Sequence, residues 1–252
     1  MEKHTYGWKP DDHDPRDLRY GAVHPNEAVP VLPARCTNRT DTRLIRPYDQ
    51  GQFQSCTANG WSTMMAYLHP GFLPSRMALY YAERLAEGSL PEDEGAMIRT
   101  GAQVLASTGV GTEEEWSYVE DHLNEPPSQT EVADALNHKA IIYTRLCGSD
   151  DYRTCLAAGF PFVIGITLFE AFESEDVAST GLVPLPEGQP IGGHCITVIG
   201  YDDNFQNGGT RYYECRNSWG SSWGDNGNFW IPASYLEDPN LASDAWTLRK
   251  TT

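Results

Sequence analysis

This 252-residue chain predicts an α+β protein of two unlike lobes, on three observations. Apolar residues recur at helical spacing from about residue 50 to 127, whereas strand-like runs dominate from about 128 onwards. Helices first and strands later argue for separate lobes rather than interleaved βαβ units. The length suffices for one sizeable core or two smaller ones, and no internal repeat or low-complexity tract breaks it up.

Residues 1–30 are polar and Pro-rich, too poor in apolar side chains to form a core, yet they carry Tyr6, Trp8, Leu18 and Tyr20. They are expected to be ordered as an extended N-terminal extension that lies on the body and partly shields a groove. Burial of the aromatic rings offsets the ordering entropy, which Pro10 and Pro15 already lower. Residues 31–49 look extended, with a short strand at 34–37, and are assigned to the β-rich lobe. Ser55 is the expected N-cap of a helix over 57–68, with Ala58, Trp61, Met64, Met65 and Leu68 on its apolar face. A Pro/Gly break at 69–74 ends it. Ser75 caps a second helix over 76–86, stopped by Gly88, and a third runs over 96–107, closed by Gly109. The helical lobe is thus placed at about 50–127. Ser128 and Glu131 form a capping-box pattern for a short helix reaching Asn137, the first element of the β-rich lobe at about 128–252. Strands are expected at 140–146 and 162–169, with a short helix between them ended by Gly159. Four more are expected at 194–201, 211–216, 228–232 and 245–249.

Composition removes several classes of function. A formal net charge of −17 argues against nucleic-acid and anionic-membrane partners, which require a basic surface. No apolar run is long enough to span a bilayer; the longest, 160–169, reads as a buried strand. The first residues contain no apolar signal segment, so a cytoplasmic location is expected, with release by another route left open. The six cysteines do not form a disulfide framework and are expected to be mostly reduced and buried. With no C-x-x-C pair and no H-E-x-x-H helix, neither a metal nor another cofactor is expected.

Three distant segments carry candidate chemistry. Cys56 stands where a glycine-containing loop gives way to a helix, at the positive end of the helix dipole, which favours the thiolate. His194 follows Gly192-Gly193 at the mouth of an apolar strand, and glycines there let another chain approach the backbone closely. Asn217 lies at the end of the next strand; a hairpin across 202–210 would set it opposite His194, within side-chain reach. An imidazole oriented by an amide, facing a thiol, is an activated nucleophile, and a thiolate–imidazolium pair is the expected resting state. Gln50, ahead of the nucleophile, is placed to join the Cys56 N–H in holding a developing oxyanion.

Gln50-Gly51-x-x-x-Ser55-Cys56, Gly193-His194 and Asn217-Ser218-Trp219-Gly220-x-x-Trp223-Gly224 resemble the papain family of cysteine peptidases, in that family's order Cys, His, Asn. The Cys56-to-His194 interval matches the roughly 130–150 residues of that family, and Asn217 falls somewhat beyond. The opening Gly7-Trp8-x-Pro10-Asp11 and the shortness of the segment ahead of the catalytic part are similar to short bacterial members. The resemblance implies a papain-like two-lobe fold, helical left lobe and β-rich right lobe, with the active site in the groove between them. It makes residues 31–252 the catalytic domain. It implies further that Trp219 covers the His–Asn hydrogen bond, and that Gly95, Gly193 and Trp219 line the substrate groove. Phe53-Gln54-Ser55-Cys56-Thr57 departs from the family pattern C-G-[SA]-C-[WY], lacking its first Cys, its Gly and its aromatic.

The expected function is therefore hydrolysis of peptide bonds in a peptide or protein substrate through a Cys-His-Asn site and a thioester acyl-enzyme. Two alternatives stand beside it: an acyltransferase resolving the same intermediate with an amine, and a non-catalytic peptide-binding relative. Substrate identity, endo- against exo-cleavage and oligomeric state are left open by the sequence.

Overall fold

The computed structural model describes residues 4–24 and 31–252; the parts of the expected extension at 1–3 and 25–30 lie outside the described residues. In chain order the elements are β1 (Trp8–Lys9), α1 (Tyr20–Val23), β2 (Arg35–Thr37), α2 (Cys56–Leu68), α3 (Arg76–Glu87), β3 (Ala96–Met97) and α4 (Ile98–Ser107). There follow α5 (Gln129–Ala135), β4 (Ala140–Arg145), α6 (Ser149–Ala157), β5 (Phe162–Phe169), α7 (Glu175–Thr180) and β6 (Pro190–Asp202). The chain closes with β7 (Tyr212–Arg216), β8 (Asn228–Pro232), α8 (Ala233–Leu236) and β9 (Ala242–Thr251).

Local chemistry sets several of these boundaries. The Ser75 hydroxyl accepts from the Ala78 N–H at 3.1 Å, and Gly88 ends α3 in the left-handed conformation. Ser128 likewise accepts from Glu131 N–H. The capping box stays half-made, however, because the Glu131 carboxylate accepts from Gly111 N–H at 2.8 Å instead. That bond holds α5 against the end of α4, where Gly109 packs closely on the Ala135 carbonyl. So α5 packs against the end of the helical lobe. Ser55 departs from expectation too: its hydroxyl caps nothing and is drawn into a buried network with Tyr118 Oη (2.5 Å) and Asn59 Nδ2 (3.0 Å). The helix expected from residue 96 starts at Ile98, because Ala96–Met97 pair in parallel with Trp8–Lys9 of the extension.

The main sheet runs β4-β9-β5-β6-β7-β8, with β2 also paired to β6, and its ladders are antiparallel. Strand β6 begins at Pro190, four residues earlier than expected; Pro and the Gly192-Gly193 pair weaken the strand signal there. Alternation along the strands feeds two cores. Ile164, Ile166, Leu168, Ile196 and Val198 enter a core in the β-rich lobe. Val163, Cys195, Trp246 and Leu248 face the other way, onto Trp61, Met64 and Met65 of α2 and Met77 and Tyr80 of α3. The two lobes therefore meet across one face of the sheet, and the N-terminus of α2 lies at their seam. All six cysteines are free; Cys56, Cys155, Cys195 and Cys215 are buried, whereas Cys147 is exposed. No helix among the described residues is long and apolar enough to cross a membrane.

Candidate active site

Cys56 is the first residue of α2, so its backbone N–H has no intrahelical acceptor. Across the seam, β6 and β7 pair with Thr197 opposite Arg216. This places Asn217 just past the ladder and His194 three residues back along β6, and the imidazole Nε2 meets Asn217 Oδ1 at 2.8 Å. The Cys195 N–H donates to Cys56 Sγ at 3.3 Å, setting the thiol one residue from His194. The Asn217 carbonyl oxygen also accepts from Ser218 N–H, which fixes the amide orientation. His194 Nδ1 has no partner among the described residues. Trp219 covers the imidazole with ring centroids 5.0 Å apart. Gln50 is fully buried; its N–H donates to the Ser218 carbonyl (2.8 Å) and its Oε1 accepts from Ser218 Oγ (2.6 Å). Ser218 was not singled out from the sequence, although it sits inside the Asn-Ser-Trp-Gly stretch.

The groove is filled by the chain's own N-terminal extension. Thr5 Oγ1 donates to the Phe53 carbonyl, and the Thr5 carbonyl takes a hydrogen bond from Gln50 Nε2 at 3.3 Å. The Gly7 carbonyl accepts from Ala96 N–H at 2.8 Å and lies against Gly95, which has φ +77°. The Trp8 indole packs on Gly165 and Gly193, and the Tyr6 ring on Gly192. A Cβ at any of these four glycines would collide with the extension, so their bareness is what admits it. His4 stacks on Trp219 at 3.9 Å, and its imidazole shares a hydrogen bond with Glu173 (2.9 Å), which Tyr6 Oη also reaches. Burial pushes the Glu173 carboxyl up, but the hydrogen bonds from His4 and Tyr6 outweigh it and hold it below its ordinary value.

Under this cover burial works against the thiolate–imidazolium pair expected from the sequence. Burial pushes the Cys56 thiol up to about 12, against backbone N–H groups of Cys195, Gly7 and Thr57 that pull it down. Burial likewise pushes His194 down to about 4, against the Asn217 hydrogen bond. Burial thus favours the neutral form of each group, because a charge excluded from water loses its hydration. Behind Cys56, Thr57 donates to the buried Glu83 carboxyl at 2.7 Å, where the family pattern has an aromatic.

Residues 92–246, more than half of the chain, match the papain family cysteine protease domain. The match spans His194 and Asn217 and begins after Cys56. An uncharacterised peptidase C1-like protein of Acanthamoeba polyphaga mimivirus is 38% identical over 229 residues, 83% of this chain and 71% of the relative. The chain belongs to the papain family of cysteine proteases. Among solved structures, xylellain, a cysteine protease from Xylella fastidiosa, superposes with a TM-score of 0.87 at 32% identity, over 99% of this chain and 98% of xylellain. Digestive procathepsin L 3 of Tenebrio molitor shares the fold at 18% identity, with a TM-score of 0.72 over 93% of this chain and 75% of its own. The protein is thus a cysteine-type peptidase with the papain-family two-lobe architecture.

Proposed function

We propose that the chain hydrolyses peptide bonds through Cys56, His194 and Asn217, with Gln50 as an oxyanion donor, and that residues 4–9 hold it closed until they leave the groove. The observation that carries this reading is the His194–Asn217 hydrogen bond of 2.8 Å beside the α2 N-terminus, with the second imidazole nitrogen unpartnered. Once the extension departs, water returns to both groups, and the helix dipole together with the adjacent imidazole lowers the thiol pKa. The Cys56 thiol then gives its proton to His194, and Sγ bonds to the substrate carbonyl carbon while the Cys56 N–H and Gln50 Nε2 hold the oxygen. His194 passes its proton to the amine as the C–N bond breaks, leaving a thioester. It next takes a proton from water, whose oxygen attacks the thioester carbon, and the C–S bond breaks to return the thiolate. Asn217 keeps the ring in plane throughout. Gln50 Nε2 donates to the Phe53 carbonyl of its own loop at 2.9 Å and also to the Thr5 carbonyl at 3.3 Å; that an oxygen of the extension already lies at this amide supports the assignment of Gln50.

The test is turnover of a peptide library by the full-length chain and two variants. Cys56→Ala should abolish cleavage, and Gln50→Ala should lower kcat by roughly 10²–10³. Substantial activity in Cys56→Ala would overturn the mechanism; unchanged kcat in Gln50→Ala would remove that residue from the site.

A further inference from the structure

The extension fills the groove in the direction opposite to a substrate, its N-terminal His4 on the Trp219 side and Trp8–Lys9 on the other, and its side-chain contacts report which groups the groove can grip. Gly7 lies at Cys56, whose thiol takes a backbone hydrogen bond from it. Trp8 and Lys9 run along Ala96 and Met97 on one side. His4 and Tyr6 run the other way, over Trp219, which itself covers the His194 ring. The two halves of the groove can therefore be told apart chemically. His194 delivers a proton to the departing amine, so the leaving-group half of a substrate must lie on the His194–Trp219 side. On that side the polar group that grips the extension is Glu173. In an extended chain, residues two apart share a side, which is why His4 and Tyr6 both reach its carboxylate.

Glu173 is also rigidly mounted. It ends the turn Glu170–Glu173, whose Phe172 is buried, stacks on Trp223 at 5.7 Å and meets Trp219 edge-on at 5.6 Å. A pocket of about 290 Å³ opens beside it, lined by Tyr6, Glu170, Glu173 and Ile191, with room for a further side chain next to the carboxylate. When the extension leaves, the carboxylate loses both donors in a half-buried position, and an incoming side chain that donates or carries positive charge restores them.

We propose that Glu173 determines specificity on the leaving-group side of the groove, selecting peptides that place a lysine, arginine or histidine where His4 and Tyr6 now sit. The proposal rests on the peptidase reading above and adds the substrate class to it. The oxygen contacts of Glu173 with two different donors, rather than any sequence motif, single it out.

The experiment uses the full-length chain with the extension displaced but present. In Gly7→Val the new side chain would overlap the Gln54 carbonyl, so residues 4–9 cannot seat. A second route, His4→Ala/Tyr6→Phe, leaves Gly7 intact and removes both donors to Glu173 together with the His4 stack on Trp219, which loosens the extension on the leaving-group side should the valine variant not fold. In each background, kcat/KM is measured for matched peptides that differ by arginine, alanine or glutamate on the leaving-group side. The arginine-to-alanine ratio should be roughly tenfold with Glu173 and close to one in Glu173→Gln, and in Glu173→Lys the glutamate peptide should be cleaved in preference to the arginine peptide. A ratio that is the same for Glu173 and Glu173→Gln overturns the proposal while leaving the peptidase reading standing. If neither opened chain cleaves any peptide, the peptidase reading fails, and the specificity proposal falls with it.

Discussion

Two acids, the half-buried Glu173 and the fully buried Glu83, behave differently. Glu173 is held charged by donors from the extension, whereas Glu83, beneath the first turn of α2, has one oxygen served by Thr57 and the other unpartnered among the described residues. Burial raises the Glu83 pKa well above its ordinary value, against the Thr57 hydrogen bond. The folded state therefore binds a proton that the unfolded chain releases. Its contribution to stability is present below the unfolded pKa and is lost as pH rises towards the folded one. Glu83→Gln keeps the acceptor for Thr57 and removes the titration. The variant should match wild type near pH 4 and exceed it in Tm at pH 7, by at most about 1.4 kcal/mol per pH unit in that window. Thermal melts at both pH values check it; a gap that does not widen with pH would mean that Glu83 is not held neutral. The same burial works against charge on Cys56 and His194, an influence the sequence does not reveal because it does not show what covers the site.

At the scale of elements, the extension works by backbone contact. Its β1 pairs with β3 in parallel over only two residues, and Gly7 threads between Gln54 and Gly95. So small a ladder is marginal by itself. Side chains supply the rest: Trp8 on Gly165 and Gly193, and His4 on Trp219. In the closed chain Cys56 is fully buried and its thiol pKa is raised, so alkylation at pH 8 should be slow. Gly7→Val should accelerate labelling of Cys56 by iodoacetamide at least tenfold, with Cys147, already exposed, as the internal reference. Mass spectrometry of the labelled peptides reads both. Equal Cys56 rates in the two proteins would show that the extension does not control access to the thiol.

For the whole molecule, one cluster ties the extension to both lobes. Arg145 of β4 bridges Asp11 and Asp17 of the extension, each at 3.1 Å, and also Asp244 of β9. Arg99 of α4 pairs with Asp17 at 2.7 Å, and its N–H donates to Asp11 at 3.0 Å. Burial first, and the neighbouring Asp244 second, push Asp11 up to about 6, against the Arg99 N–H, the Trp246 indole and, least of the three, Arg145. Replacing one member of such a cluster leaves the rest uncompensated. Arg145→Met should destabilise the protein by about 3 kcal/mol and also quicken Cys56 alkylation, because Asp11 and Asp17 lose their common partner. Denaturant titration and labelling separate the two effects; lost stability without faster labelling would assign the cluster to the sheet rather than to closure of the groove.

What the sequence determined by itself was whatever a short window can hold. The 3.6-residue spacing around Trp61, Met64 and Met65, the Ser75 cap, the Gly88 stop and the Asn228–Pro232 strand all follow from neighbours within a few residues. The Cys56, Gly193-His194 and Asn217-Ser218-Trp219 segments were legible for the same reason. Only the tertiary structure decided where residues 4–9 lie, that α5 packs against the end of the helical lobe through Glu131 and Gly111, and that Ser55 serves Tyr118 instead of capping α2. Glu173 became visible only there as well, through His4, 169 positions away. Buried polar groups must find partners wherever the fold brings them, and partners so distant in sequence leave no periodic trace in the chain.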